Sequence, residues 1–81
     1  MTDTSVSIRI RERVRQQKAL PAPSVRRALR QAAGLRISDI ADAVGATSQA
    51  VSNWELGRRT PRGRYLTAYT EALDALREAT S

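Results

Sequence analysis

The stretch Ile37-Ser38-Asp39-Ile40-Ala41-Asp42-Ala43-Val44-Gly45-Ala46-Thr47-Ser48-Gln49-Ala50-Val51-Ser52-Asn53-Trp54-Glu55-Leu56-Gly57 decides how this 81-residue chain is read. Ile40 and Val44 lie four apart with Ala41 beside them, which gives a first helix one apolar face. Ala41 has no bulk beyond Cβ and lets another helix cross close above it. Gly45 follows the last apolar residue, where a helix closing in the left-handed conformation prefers glycine. Thr47 then offers an N-cap oxygen to a free backbone N–H of a second helix. Val51 and Trp54, three apart, turn that helix's inner face back on the first, and this spacing assigns Trp54 to the core. Ser48, Gln49, Ser52 and Asn53 are left outward.

Two short helices joined by a tight glycine turn, with short polar groups on the outer face of the second, form a helix-turn-helix. That layout places its second helix in the DNA major groove. Ser48, Gln49, Ser52 and Asn53 are therefore the candidate base-reading residues. Gln49 has the geometry for a bidentate contact with adenine N6 and N7, and Asn53 for the same contact or for a phosphate. Arg58, Arg59, Arg62 and Arg64 follow this helix directly and are candidate phosphate contacts. Tyr69 reads as core or interface, while the Tyr65 hydroxyl is within reach of a phosphate.

Composition narrows the alternatives. The chain has no cysteine and no histidine, which excludes zinc fingers, Cys/His nucleophile systems and His-assisted base catalysis. Asp39 and Asp42 sit near a helix N-terminus, where they favour the dipole. No phosphate-cradling glycine loop or nucleophile–base arrangement accompanies them. A non-enzyme without cofactor or metal is expected. No run approaches the ~18 apolar residues of a membrane span, and no apolar signal-peptide core opens the chain, so a cytoplasmic location with no membrane partner is expected.

The net charge is +6, with 13 Arg and one Lys among the 14 basic residues. Residues 1–64 carry a net +8 and residues 65–81 a net −2. A coding bias explains arginine in place of lysine, but not this clustering. An arginine-rich field suits a polyanion, because guanidinium groups pair with phosphate oxygens.

Outward from the central stretch, residues 1–4 read as a tail and Ser5 to Lys18 as a basic element with Val6, Ile10 and Val14 along one helical face. Val6, Ile8 and Ile10 also alternate as in a strand. The Gln/Arg/Lys/Ala run that follows, and the lack of a partner-strand signal, favour a helix. Pro21-Ala22-Pro23 is a stiff linker. Ser24 is the expected N-cap of a helix over 25–33, with Val25, Ala28, Leu29 and Ala32 inward. Residues 57–63 are a loop, and a last helix runs from about 64 to 79 with Leu66, Tyr69, Leu73 and Leu76 as its stripe. The expected fold is all-α, with a basic extension and Pro linker at 1–23 and one helix-turn-helix domain at 24–79.

Leu29-Arg30, Ala33-Gly34-Leu35, Ile40-Ala41, Val44-Gly45, Val51-Ser52, Trp54-Glu55, Gly57-Arg58-Arg59 and Pro61 together resemble the Cro/C1-type (XRE) family of phage repressors over roughly residues 25–76. The resemblance implies a small lambda-repressor-like bundle and a recognition helix over about 47–56 that reads bases through Ser48, Gln49, Ser52 and Asn53. It also implies an inner ion pair between Arg30 and Glu55. The residues agree, since a semi-buried carboxylate at that helix end needs a partner. Many relatives carry a phosphate-binding Gln where this chain has Ile37, which cannot make that bond. Arg36 and Ser38 are the replacements at that end, and Thr47 is a further phosphate candidate at the start of the recognition helix.

The function expected from all this is a sequence-specific transcriptional regulator of phage or mobile-element type, binding double-stranded DNA. A homodimer would require two half-sites about one helical turn apart. The alternative is an antitoxin or interaction module that binds a partner protein through residues 5–20.

Overall fold

The computed structural model describes residues 4–80, without the side chains of Thr4, Arg13 and residues 16–19. It contains five helices: α1 (Thr4–Ala19), α2 (Pro23–Ala32), α3 (Ile37–Val44), α4 (Ser48–Glu55) and α5 (Arg64–Thr80). No strand occurs among the described residues. Of the tail expected at 1–4, residues 1–3 lie outside the described residues, and Thr4 opens α1.

The turn between α3 and α4 follows from its residues. Gly45 takes φ 74° and ψ 29° at the end of α3, a left-handed position that a Cβ would strain. Thr47 is extended, and its Oγ1 accepts the Ala50 N–H at 3.1 Å. At the other end of α3 the Asp39 carboxylate accepts the Arg36 backbone N–H at 2.8 Å, while the Asp39 N–H donates to the Arg36 carbonyl at 3.0 Å. This exchange satisfies groups that the first helical turn leaves open.

α4 packs on α3 and α2, and α5 packs across α2 and α3, with α1 lying against α5. Between them Ile40, Ala41, Val44, Val51, Trp54, Tyr69, Leu73 and Leu76 form the core, and Val51 and Tyr69 are the most deeply buried of these. Trp54 lies 4.8 Å from Tyr69 and 6.3 Å from Tyr65, centroid to centroid, both tilted. The α5 stripe read from the sequence is buried at all four positions, Leu66, Tyr69, Leu73 and Leu76.

α2 differs from its sequence reading. It begins at Pro23 with Ala22 as N-cap and no side-chain cap, so Ser24 does not fill that role. Proline is well placed in a first turn, because its missing N–H would have had no helical acceptor there. Val25, Ala28 and Ala32 face solvent, and Leu29 and Ala33 are partly buried against the core. The buried residue of this helix is Arg26. On α1, Val6, Ile10 and Val14, the stripe expected there, remain about half exposed.

The Tyr69 hydroxyl is buried without a hydrogen-bond partner among the described residues. Burial, followed by the nearby Glu55 charge, pushes this phenol up to about 12 from its ordinary 10.0. An unfolded chain sheds that proton first, so the associated stability is full below about pH 10 and declines from there to about pH 12. Tyr69→Phe keeps the ring against Trp54 and removes the unpaired group. Denaturant titration should show stability unchanged or raised by about 1 kcal/mol at neutral pH. Across the alkaline window the variant should lose less stability than the parent chain.

Candidate nucleic-acid interface

Two arginines on α2, Arg26 buried and Arg30 partly buried, position the helix that the sequence marks as the reader. Arg30 meets Glu55 in a bidentate pair, Nε to Oε2 at 2.6 Å and a terminal guanidinium nitrogen to Oε1 at 3.0 Å. The same guanidinium donates to the Leu35 carbonyl at 2.9 Å. The Glu55 side chain is only 5% exposed and that of Arg30 12%. The hydrogen bond to Glu55 pushes Arg30 further above its ordinary value, against the lowering effect of burial. Arg30 therefore stays charged, and its two hydrogen bonds to Glu55 fix the C-terminal turn of α4.

Arg26, which sequence reasoning did not single out, completes the attachment. Its Nε donates to the Pro21 carbonyl at 2.8 Å, and another guanidinium nitrogen donates to the Trp54 carbonyl at 3.0 Å. A cation on a final-turn carbonyl also suits the negative end of the α4 dipole. The available signal was its spacing of four from Arg30, which places both on one face.

Held this way, α4 leaves Ser48 and Gln49 exposed, while Ser52 and Asn53 are partly covered. The Gln49 amide nitrogen reaches the Asn53 amide oxygen at 3.5 Å, so the two act as neighbours on one ridge. Leu56 caps the helix, is 53% exposed, and lies four residues beyond Ser52 and seven beyond Gln49. It is an apolar addition to this face that the sequence reading left out. Trp54 is 5% exposed and belongs to the core.

Cations flank the ridge on two sides. Beyond its C-terminal end, Arg58, Arg59 and Arg62 line an open cleft of about 620 Å³ with Gly57, Thr60, Pro61, Trp54 and Tyr65. Pro61 is buried and anchors the loop, while the three arginines are exposed. Gly57 has φ 74°, and a Cβ there would meet Pro23 Cγ at 3.1 Å, so the loop leaves α4 at a place where a side chain is excluded twice over. Arg64 lies 5.1 Å over the Tyr65 ring and donates to its hydroxyl at 3.2 Å. On the other side, Arg27, Ile37, Ser52 and Leu56 share a smaller cleft of about 200 Å³ with Arg30 and Glu55. Arg27 is thus a second cation beside the ridge that sequence reasoning missed.

Arg36 and Ser38 are exposed at the start of α3, next to this smaller cleft through Ile37. Ile37 itself packs against the core. Arg36 reaches Asp39 at 3.8 Å with 84% of its side chain exposed, which leaves its guanidinium accessible. Thr47, although exposed, already uses its oxygen as the α4 cap.

Residues 27–81, more than half of the chain, match the family model described as a helix-turn-helix domain. The chain belongs to the helix-turn-helix domain family. No curated protein and no solved structure matches it. The matched helix-turn-helix region takes in α3, α4 and α5 and leaves α1 outside it. No helix among the described residues is long and apolar enough to cross a membrane.

Because the helix-turn-helix depends on the Arg30–Glu55 pair, removing either partner strands a buried charge. Arg30→Ala and Glu55→Ala should each lower unfolding stability by about 3 kcal/mol. The double variant should lose clearly less than the sum of the two, a coupling that a double-mutant cycle by urea denaturation reads directly.

Proposed function

We propose that this protein is a sequence-specific DNA-binding transcriptional regulator of Cro/C1 (XRE) type, a repressor of phage or mobile-element origin, acting through the domain at 24–79. The observation that carries this reading is the α4 ridge: a two-turn helix clamped at its C-terminal end, presenting short polar side chains between two sets of arginines. A polar helix between cations matches the major groove, which presents base edges between two phosphate walls.

In this reading Ser48, Gln49, Ser52 and Asn53 contact base edges, with Gln49 and Asn53 as the adenine readers. Leu56 is placed to meet a thymine methyl. Arg58, Arg59, Arg62 and Arg64 bind phosphates on one side of the ridge, Arg36, Ser38 and Arg27 bind them on the other, and Thr47 binds one at the start of the ridge. Bound protein acts by occupying its site, without catalysis. The alternative of a partner protein held by residues 5–20 gains support from the exposed aliphatic side chains of α1.

Selection of bound duplexes from a random pool tests the reading, with recovery of a defined motif as the expected result. Enrichment without a motif would overturn sequence-specific recognition. Two substitutions then separate the roles. Gln49→Ala with Asn53→Ala should reduce discrimination for the recovered motif by ~1–3 kcal/mol per good base contact, while non-specific affinity changes little. Arg58→Ala with Arg59→Ala should weaken motif and random DNA alike, and should lower the slope of log affinity against log salt by about 2.

A further inference from the structure

We propose that Thr60 is a site of phosphorylation, and that the arginine cleft around it receives the phosphate and thereby loses its hold on polyanions. Every other serine and threonine among the described residues lies within a helix or, as Thr47 does, caps one. Thr70 and Thr80 also spend their hydroxyls on the carbonyls of Leu66 and Leu76. Thr60 stands in irregular chain, exposed, and its hydroxyl makes no hydrogen bond among the described residues. A protein kinase takes its acceptor hydroxyl on an open segment laid through its own cleft. A residue inside a packed helix reaches that form only by local unfolding.

Both ends of the loop are held. At one end the N–H groups of Arg58 and Arg59 donate to the Asn53 carbonyl at 3.0 and 3.4 Å. At the other, Pro61 is buried and the Tyr65 N–H donates to the Arg62 carbonyl at 3.1 Å. Thr60 is presented between these fixed points. The string Arg58-Arg59-Thr60-Pro61-Arg62 sets cations on both sides of the hydroxyl and a proline directly after it.

The surroundings suit a phosphate. Arg58, Arg59 and Arg62 line one cleft with Thr60, and no carboxylate is among its described lining residues. Like charges gathered around a neutral hydroxyl repel one another. A phosphothreonine, with about −1.5 to −2 charge at pH 7, offsets them. Guanidinium groups bind it through paired, charge-assisted hydrogen bonds. The cleft is open and, at about 620 Å³, has room for the added group. In the transfer the Thr60 oxygen attacks the γ-phosphorus of ATP held by the kinase. The new O–P bond forms as the bond from that phosphorus to the β,γ-bridging oxygen breaks. ADP leaves with the electron pair, and the hydroxyl proton passes to a carboxylate base of the kinase. The arginines involved are those proposed above to bind DNA, so the loss of polyanion binding rests on that reading while the modification itself does not.

The test incubates the full chain with γ-labelled ATP and a panel of arginine-directed and proline-directed serine/threonine kinases. Label should map to Thr60 by peptide mass spectrometry, persist in Thr60→Ser and vanish in Thr60→Ala, both variants being confirmed as folded by circular dichroism. Phosphorus NMR of the modified chain then reads the second ionisation of the phosphate. It should lie about half a unit or more below its position in a modified Arg58→Ala/Arg59→Ala variant. Modification should also lower the slope of log affinity for random-sequence duplex against log salt by about 2, and change it much less in that double variant. No label at Thr60 from any kinase, or a phosphorus titration identical in the two chains, overturns the proposal. A shifted titration with an unchanged salt slope overturns the effect on polyanion binding. An unmodified chain that binds no duplex at all refutes the DNA reading alone, and the phosphorus titration, which needs no DNA, still decides the site.

Discussion

An eight-residue helix such as α4 is far shorter than the roughly 12–15 residues that hold together in isolation, so its order has to come from tertiary bonds. The two arginines of α2 supply them. Arg30 holds the Glu55 carboxylate with two hydrogen bonds, and Arg26 holds the Trp54 carbonyl. Together they fix the last turn of α4 in position and in rotation. Rotation matters most, because it decides which side chains form the outward ridge. With Glu55 turned inward to Arg30 and Val51 and Trp54 in the core, only Ser48, Gln49, Ser52 and Asn53 remain for the other side, with Leu56 beyond them. Backbone and charge fix the ridge before any partner arrives.

The central motif was legible because each of its requirements names a residue type. A left-handed turn asks for Gly45, an N-cap asks for Thr47, and an inward pair three apart asks for Val51 and Trp54. α2 was not legible in the same way. Apolar spacing nominated Val25, Ala28 and Ala32 as its inner face, yet these are exposed and Arg26 is buried. Counting arginine as a surface residue fails wherever a fold must satisfy enclosed carbonyls. Here those of Pro21 and Trp54 accept from one guanidinium, and a leucine in that place would leave both without this donor. The start of the helix was misplaced for a related reason: a side-chain cap was sought where Pro23 makes one unnecessary.

Much of the candidate interface was nameable from the sequence, but its grouping was not. Arg58, Arg59 and Arg62 share one cleft, as their closeness in the chain suggests. Arg27 and Ser52 are 25 positions apart and share another, a proximity that only the crossing of α2 over α4 creates. The aliphatic spacing on α1 was visible as well. What it covers is a question of packing, and within one chain the answer is that half of each side chain stays in solvent.

The bond from Arg26 to Pro21 sets a limit on how motion spreads through this molecule. Fraying of α1 from its exposed end reaches Pro21, where the next step must break a guanidinium bridge that also secures α4. Opening that spreads from α1 toward α4 therefore has to break a contact shared by both segments. One side chain thereby ties the linker after α1 to the end of the helix that carries the ridge.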